Sequence, residues 1–138
     1  MFRTLIVEDS AFYRQLLKEV LHSQFPSMDI FEAMDGEEAL ERIHTLLPDL
    51  IFVDIKLPGM NGLELTKKIK DQYPNLPIAV LTAYDLPEYR EAAKQNKADY
   101  FLSKGSATKK NILTMVESIL SDQRKTQTSS KNEDLSLE

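Results

Sequence analysis

The chain has 138 residues, 42% of them hydrophobic and 28% charged, which is enough apolar material for one packed domain and too much for a disordered chain. Its net charge of −5 argues against a nucleic-acid-binding surface, which is normally basic. Cysteine is absent, which excludes disulfides, thiolate catalysis and zinc–thiolate sites. No apolar run is long enough for a signal-peptide core or a spanning helix, so a soluble cytoplasmic protein without membrane association is expected.

In chain order, residues 4–7 ("TLIV") read as a buried strand that ends on Glu8 and Asp9. Residues 11–23 follow with helical spacing, Phe12, Leu16, Leu17, Val20 and Leu21 falling on one stripe. Glu8, Asp9 and Ser10 are all candidates for its N-cap. A weaker strand lies at 29–33 ("DIFEA"), and the next helix at 36–47 carries Ala39, Leu40, Ile43, Leu46 and Leu47. The strand at 50–53 ("LIFV") reaches Asp54 and then breaks into Pro58, Gly59 and Gly62. A helix over 62–72 presents Leu65 and Ile69, with Leu63 beside them.

The fourth strand, 77–81 ("PIAVL"), ends on Thr82 and small Ala83. A poorer helix is expected over 87–96, with Pro87 suited to a first turn and Ala92 and Ala93 as its small apolar positions. The fifth strand, 99–102 ("DYFL"), is followed closely by Lys104. The last helix is expected over 107–121, with Ile112, Leu113, Val116, Ile119 and Leu120 on its stripe and Ser106 as N-cap. Residues 121–138 are polar and rich in Ser and Thr, and read as a disordered tail or linker after a folded domain of residues 1–120.

Strand and helix thus alternate five times. Short apolar strands without polar alternation imply a parallel sheet covered on both faces, and the whole reads as a doubly wound α/β fold of five strands and five helices. Function in that class sits beyond the carboxyl ends of the strands. There the chain gathers Glu8, Asp9, Asp54, Thr82 and Lys104. Each has an ordinary reading alone: a helix cap, a turn residue, a strand residue or a solvated charge. Together they have no structural reason to share one edge.

Two carboxylates about 4 Å apart repel by roughly 4 kcal/mol at an effective dielectric near 20. Three in one crevice call for a cation or for shifted pKa values. Oxygen donors without His or Cys favour a hard ion, Mg²⁺ first. A carboxylate beside such an ion can attack phosphorus and form an aspartyl phosphate, with a nearby Lys and Thr contacting the phosphoryl oxygens and Ala83 leaving them room.

The stretches "LIVEDS", "VDIKLPGMNGLEL", "AVLTAYD" and "ADYFLSKGSA", with "EAMDGEEAL" between the first two, stand in the order and spacing of a known family. Over residues 2–120 the chain resembles the receiver domain of two-component response regulators, the CheY-like superfamily. The resemblance implies a flavodoxin-like sheet of order 2-1-3-4-5. It implies Asp54 as phosphoacceptor, and Glu8 and Asp9 as the acidic pair that holds Mg²⁺ together with the backbone carbonyl of Lys56. Thr82 takes the place of the switch hydroxyl, Lys104 of the lysine that pairs with the phosphoryl group, and Phe101 of the switch aromatic, with Tyr100 pointing the other way. Lys56 and Tyr84, each two residues beyond a site residue, are expected to set the lifetime of the phosphoryl group.

The implied donor is a sensor histidine kinase or phosphotransfer protein. The implied receiver of the signal is an output partner or covalently linked domain, reached through the surface of 87–96, 99–102 and 107–121, with a phosphorylation-dependent homodimer as one route. No nucleic acid contact by this chain is expected. Gly105 follows Lys104 where many relatives have Pro, so a trans peptide is expected there, and "KGSA" looks more like receivers of the LuxR/NarL type. The expected chemistry is self-phosphorylation and slow autodephosphorylation rather than metabolic turnover.

A Mg²⁺-dependent phosphohydrolase is the competing enzyme reading, weakened because no acid or His stands two residues after Asp54. A dinucleotide-binding module lacks its G-x-G-x-x-G turn. A non-phosphorylated scaffold is disfavoured by the complete acid set. His22 and His44 fall on separate helices and are read as solvated residues.

Overall fold

The computed structural model describes the backbone of residues 2–105 and 109–137, and side chains within these as far as Gln123. The chain divides into two compact units, Met1–Ala107 and Thr108–Glu138. The first holds β1 (Arg3–Val7), α1 (Ala11–Gln24), β2 (Asp29–Ala33), α2 (Gly36–Leu46), β3 (Leu50–Asp54), α3 (Gly62–Gln72), β4 (Ile78–Thr82), α4 (Pro87–Gln95) and β5 (Tyr100–Ser103). All pairings are parallel and the order is β2-β1-β3-β4-β5, as the resemblance implies.

The apolar runs are continuous because both faces of the sheet are covered. Leu5, Val7, Ile51, Val53, Ile78 and Val80 pack in one cluster with Ala39 and Ile43 of α2, Leu65 and Ile69 of α3, and Ala93 of α4. Side chains of the opposite parity, Ile6, Leu50, Phe52, Ala79 and Leu81, are equally buried. Leu17 and Leu21 of α1 are buried outside that cluster, which puts α1 on the second face.

Helix α1 buries less than its pattern promises. Phe12 and Leu16, expected on the core stripe, are 79% and 45% exposed. The core face narrows to Leu17 and Leu21, one turn apart, while Leu16 and Phe12 lie about 100° and about 140° from Leu17 around the helix. Leu47 likewise leaves the α2 stripe. It is the C-cap, with left-handed φ of 47°, and is 63% exposed.

The second unit holds α5 (Lys109–Leu137). Its buried residues Ile112, Met115, Val116 and Ile119 keep helical spacing, with Met115 joining the expected set and Leu113 and Leu120 half-buried. The helix continues across the boundary drawn at residues 120 and 121. No Gly or Pro follows Gly105 to interrupt it. Ser106, the expected cap, lies outside the described residues. Among the described residues there is no cis peptide bond.

The close fit behind β3 turns on one glycine. Gly62 opens α3 and donates its N–H to Ile55 O at 2.9 Å. A Cβ there would lie 2.0 Å from the Asp54 carbonyl oxygen and 2.9 Å from Ile55 Cα. Those neighbours are backbone and cannot turn aside. Asn61 Oδ1 caps the helix through Glu64 N–H at 2.9 Å, and Thr66 Oγ1 donates to Gly62 O at 2.7 Å, so the helix end is pinned as well. Gly62→Ala should therefore lower the urea midpoint by an amount equivalent to about 1–3 kcal/mol or more, with an unchanged slope. A midpoint equal to wild type would contradict the close approach.

Candidate functional site

The sheet's carboxyl edge collects the polar residues through register. Val7 pairs with Val53 and Asp54 with Leu81, so Glu8 follows β1 at the level where β3 ends on Asp54. Glu8 N–H donates to Ala33 O at 3.0 Å, which extends the β1–β2 ladder one residue and holds Glu8 at the edge. Of the three candidate caps, Ser10 does the capping: its Oγ accepts from Tyr13 N–H at 3.2 Å. Ser10 N–H in turn donates to Glu8 Oε2 at 3.3 Å. Arg14 Nη1 donates to the Glu8 carbonyl at 2.7 Å while its Nε pairs with Glu32 at 3.0 Å. The turn carrying the two acids is thus tied down from both sides.

Glu8, Asp9 and Asp54 each offer a carboxylate oxygen within 4.8 Å of the others. Glu8 is fully buried, Asp54 is 5% exposed and Asp9 is open to solvent. Lys104 reaches across from the end of β5. Its N–H donates to Thr82 O at 2.8 Å, and its Nζ is paired with Glu8 and lies 3.4 Å from Asp54 Oδ2. Burial first, then the hydrogen bond and charge of Asp54, hold the Glu8 carboxyl above the usual carboxylate range against the pull of Lys104. An all-oxygen donor set with more negative charge than one lysine offsets fits a hard divalent cation.

Thr82 is buried at the end of β4, but its hydroxyl is turned into its own loop. It donates to Tyr84 O at 3.1 Å and accepts from Tyr84 N–H at 2.9 Å. Ala83 is exposed beside it. Lys56 Nζ lies 5.9 Å from the Tyr84 ring centre and 5.7 Å from that of Tyr89 on α4. Phe101 is half-buried against the core, and the Arg90 guanidinium lies 4.7 Å above its ring. Arg90 is itself held by Asp85 through two bonds of 2.6 and 3.0 Å, and that bond keeps the Asp85 carboxyl below its ordinary range.

The structure therefore brings Glu8, Asp9, Asp54 and Lys104 together, ends β4 on Thr82 at the same edge, and groups Lys56 with Tyr84. One neighbour escaped the sequence reading. Tyr13 places its ring centre 4.3 Å from Lys104 Nζ, and its hydroxyl is pushed up to about 12 by burial and then by the charges of Glu8 and Asp54. Tyr89 joins Tyr84 around Lys56. The one available signal for Tyr13 was its place three residues after a capping serine, where a side chain looks back toward the strand end. The histidines, although exposed, are bonded: His22 Nε2 to Met28 O at 3.2 Å and His44 Nδ1 to the Tyr73 hydroxyl at 2.9 Å.

The raised Glu8 carboxyl has a definite sign for stability. The folded chain holds that proton more tightly than the unfolded chain, so stability falls as pH rises from the ordinary value of 4.5 through the raised folded value. Glutamine imitates the protonated form. In chelator-treated buffer, Glu8→Gln should melt above wild type at pH 7, with the gap closing as pH falls toward 4.5. Thermal melts across that range check it. A variant melting below wild type at pH 7 would mean that the Lys104 pair outweighs burial.

The family model for the response regulator receiver domain matches residues 4–117. A protein-glutamate methylesterase/protein-glutamine glutaminase of Syntrophus aciditrophicus is 43% identical over 83 residues, covering 60% of this chain and 23% of its own length. The DNA-binding transcriptional regulator NtrC of Klebsiella pneumoniae is 38% identical over 96 residues, covering 69% of this chain and 20% of its own. The chain thus spans about a quarter or less of these curated relatives. A CheY-like receiver domain crystal structure from Methanospirillum hungatei superposes with a TM-score of 0.81 at 27% identity, over 91% of this chain and 98% of that one. Fold, edge geometry and family match agree, and the chain belongs to the response regulator receiver domain family of two-component signalling.

Proposed function

We propose that this receiver domain accepts a phosphoryl group on Asp54 from the phosphohistidine of a sensor histidine kinase or phosphotransfer protein. The observation that carries this reading is the cluster of Glu8, Asp9 and Asp54 oxygens within 4.8 Å of one another, beneath the Lys104 ammonium. An Asp54 oxygen forms a bond to phosphorus as the P–N bond breaks, and the imidazole departs with the electron pair. Glu8, Asp9, Asp54 and the Lys56 carbonyl would hold Mg²⁺, which when bound supplies positive charge against the phosphoryl oxygens.

Lys104 exchanges its Glu8 partner for a phosphoryl oxygen, and Thr82 redirects its hydroxyl from Tyr84 O to another. Withdrawal of Thr82 from its loop frees Phe101 to turn inward, which changes the surface made by α4 and β5 and biases a two-state equilibrium. That surface passes the signal to an output partner or a linked domain. A cytoplasmic setting accords with this role, and among the described residues no helix is long and apolar enough to cross a membrane.

Incubation with acetyl phosphate and Mg²⁺ should add one phosphoryl mass to the wild type and none to Asp54→Asn. An unmodified wild type, or equal modification of the variant, would refute the assignment. Lys56 and Tyr84 flank the approach of a hydrolytic water. Lys56→Ala and Tyr84→Ala should therefore each change the half-life of the phosphorylated chain by a few fold. Two unchanged half-lives would remove them from that role.

A further inference from the structure

Among the described residues the Lys104 ammonium has three partners: Glu8, Asp54 and the ring of Tyr13. The first two are charges that change during the proposed reaction. Asp54 gives up a carboxylate oxygen to phosphorus, and Glu8 is the partner that Lys104 leaves. The ring is different, because its pull on the ammonium comes from the negative face of the π-system and is the same before and after transfer. The backbone of Lys104 is fixed through its N–H bond to Thr82 O at 2.8 Å, but a four-carbon stem leaves the ammonium several rotamers. Tyr13 removes some of that freedom. Its own placement is secured by the Ser10 cap, which accepts the Tyr13 N–H at 3.2 Å, so the ring is tied to the turn that carries Glu8 and Asp9.

We infer that Tyr13 is a positioning residue: its ring holds the Lys104 ammonium beside Asp54 and so sets how fast Asp54 accepts a phosphoryl group. The inference rests on the phosphoacceptor reading above. The ring is what matters, so the phenolic oxygen is dispensable and phenylalanine should serve. The effect runs entirely through Lys104, so it should vanish when the ammonium is removed.

The full chain is incubated with acetyl phosphate and Mg²⁺, and the rate of modification is followed by intact mass. In this reaction an Asp54 oxygen bonds to phosphorus while the P–O bond to the acetyl group breaks. Acetate leaves with the electron pair, and no net proton is taken up. Tyr13→Phe should stay within about twofold of wild type, and Tyr13→Leu should be slower by about threefold to tenfold. In a Lys104→Met background, Tyr13→Leu should make no further difference. The same contact should shift the Lys104 ε-methylene proton resonances upfield in the wild type and in Tyr13→Phe, and this shift should be absent in Tyr13→Leu. A Tyr13→Leu rate equal to wild type, an undiminished leucine effect without Lys104, a phenylalanine variant as slow as leucine, or a wild type lacking the upfield shift would each overturn the inference. A wild type that acquires no phosphoryl mass would instead overturn the phosphoacceptor reading, and the rate claim would fall with it.

Discussion

Carboxylates held within 4.8 Å of one another at the edge of a sheet push apart, and the rest of this fold works against that push. Glu8 is the extreme case. It is an acid buried completely, with a second acid beside it and one ammonium partly offsetting both. Such an arrangement costs free energy, and the surrounding structure must over-determine it. Each restraint described at this edge does so. The β1–β2 ladder extends through Glu8, Ser10 and Arg14 clamp the following turn, and Gly62 lets α3 press directly on the Asp54 backbone. These restraints hold the acids together at the edge although the acids repel one another.

This view also explains why the core is so uniformly apolar. Strands β3 and β4 are buried along their whole length, and the β-branched and aromatic residues of "LIFV" and "IAVL" give the sheet its packing on both faces. Of the buried polar residues, Glu8, Asp54 and Thr82 stand where strands end, while Thr4 lies near the start of β1 and Thr66 and Lys70 lie on α3, so β3 and β4 are apolar up to their last residues. Hydrophobic burial and charge clustering are therefore separated in space, and a disturbance at the edge need not reach the centre of the core.

The element sequence was legible because buried parallel strands and one-sided helices leave different periodicities. The acids, Thr82 and Lys104 were legible because strand ends interrupt apolar runs abruptly. Strand order came only with the family resemblance, since apolar runs carry no information about which neighbour they pair with. The failures have physical reasons too. Phe12 and Leu16 carry apolar spacing but lie around the helix from the stripe that α1 buries, and spacing alone does not say how wide the buried face is. Which of Glu8, Asp9 and Ser10 would cap α1 depended on backbone geometry at the turn. Tyr13 was invisible as a partner of Lys104 because their contact joins the first helix to the last strand, a relation that no local pattern encodes.

The guanidinium lying on Phe101 has one more consequence. Asp85, which grips Arg90, belongs to the same short loop as Tyr84, whose backbone is bonded in both directions to Thr82. Besides the β4–β5 ladder, Thr82 and Phe101 are thus connected over the surface, through an Asp85–Arg90 salt link exposed to water. Mobile ions bathe that linkage directly. The hold of Asp85 on Arg90, and with it the seat of the guanidinium over the ring, is therefore set partly by the ionic strength of the medium.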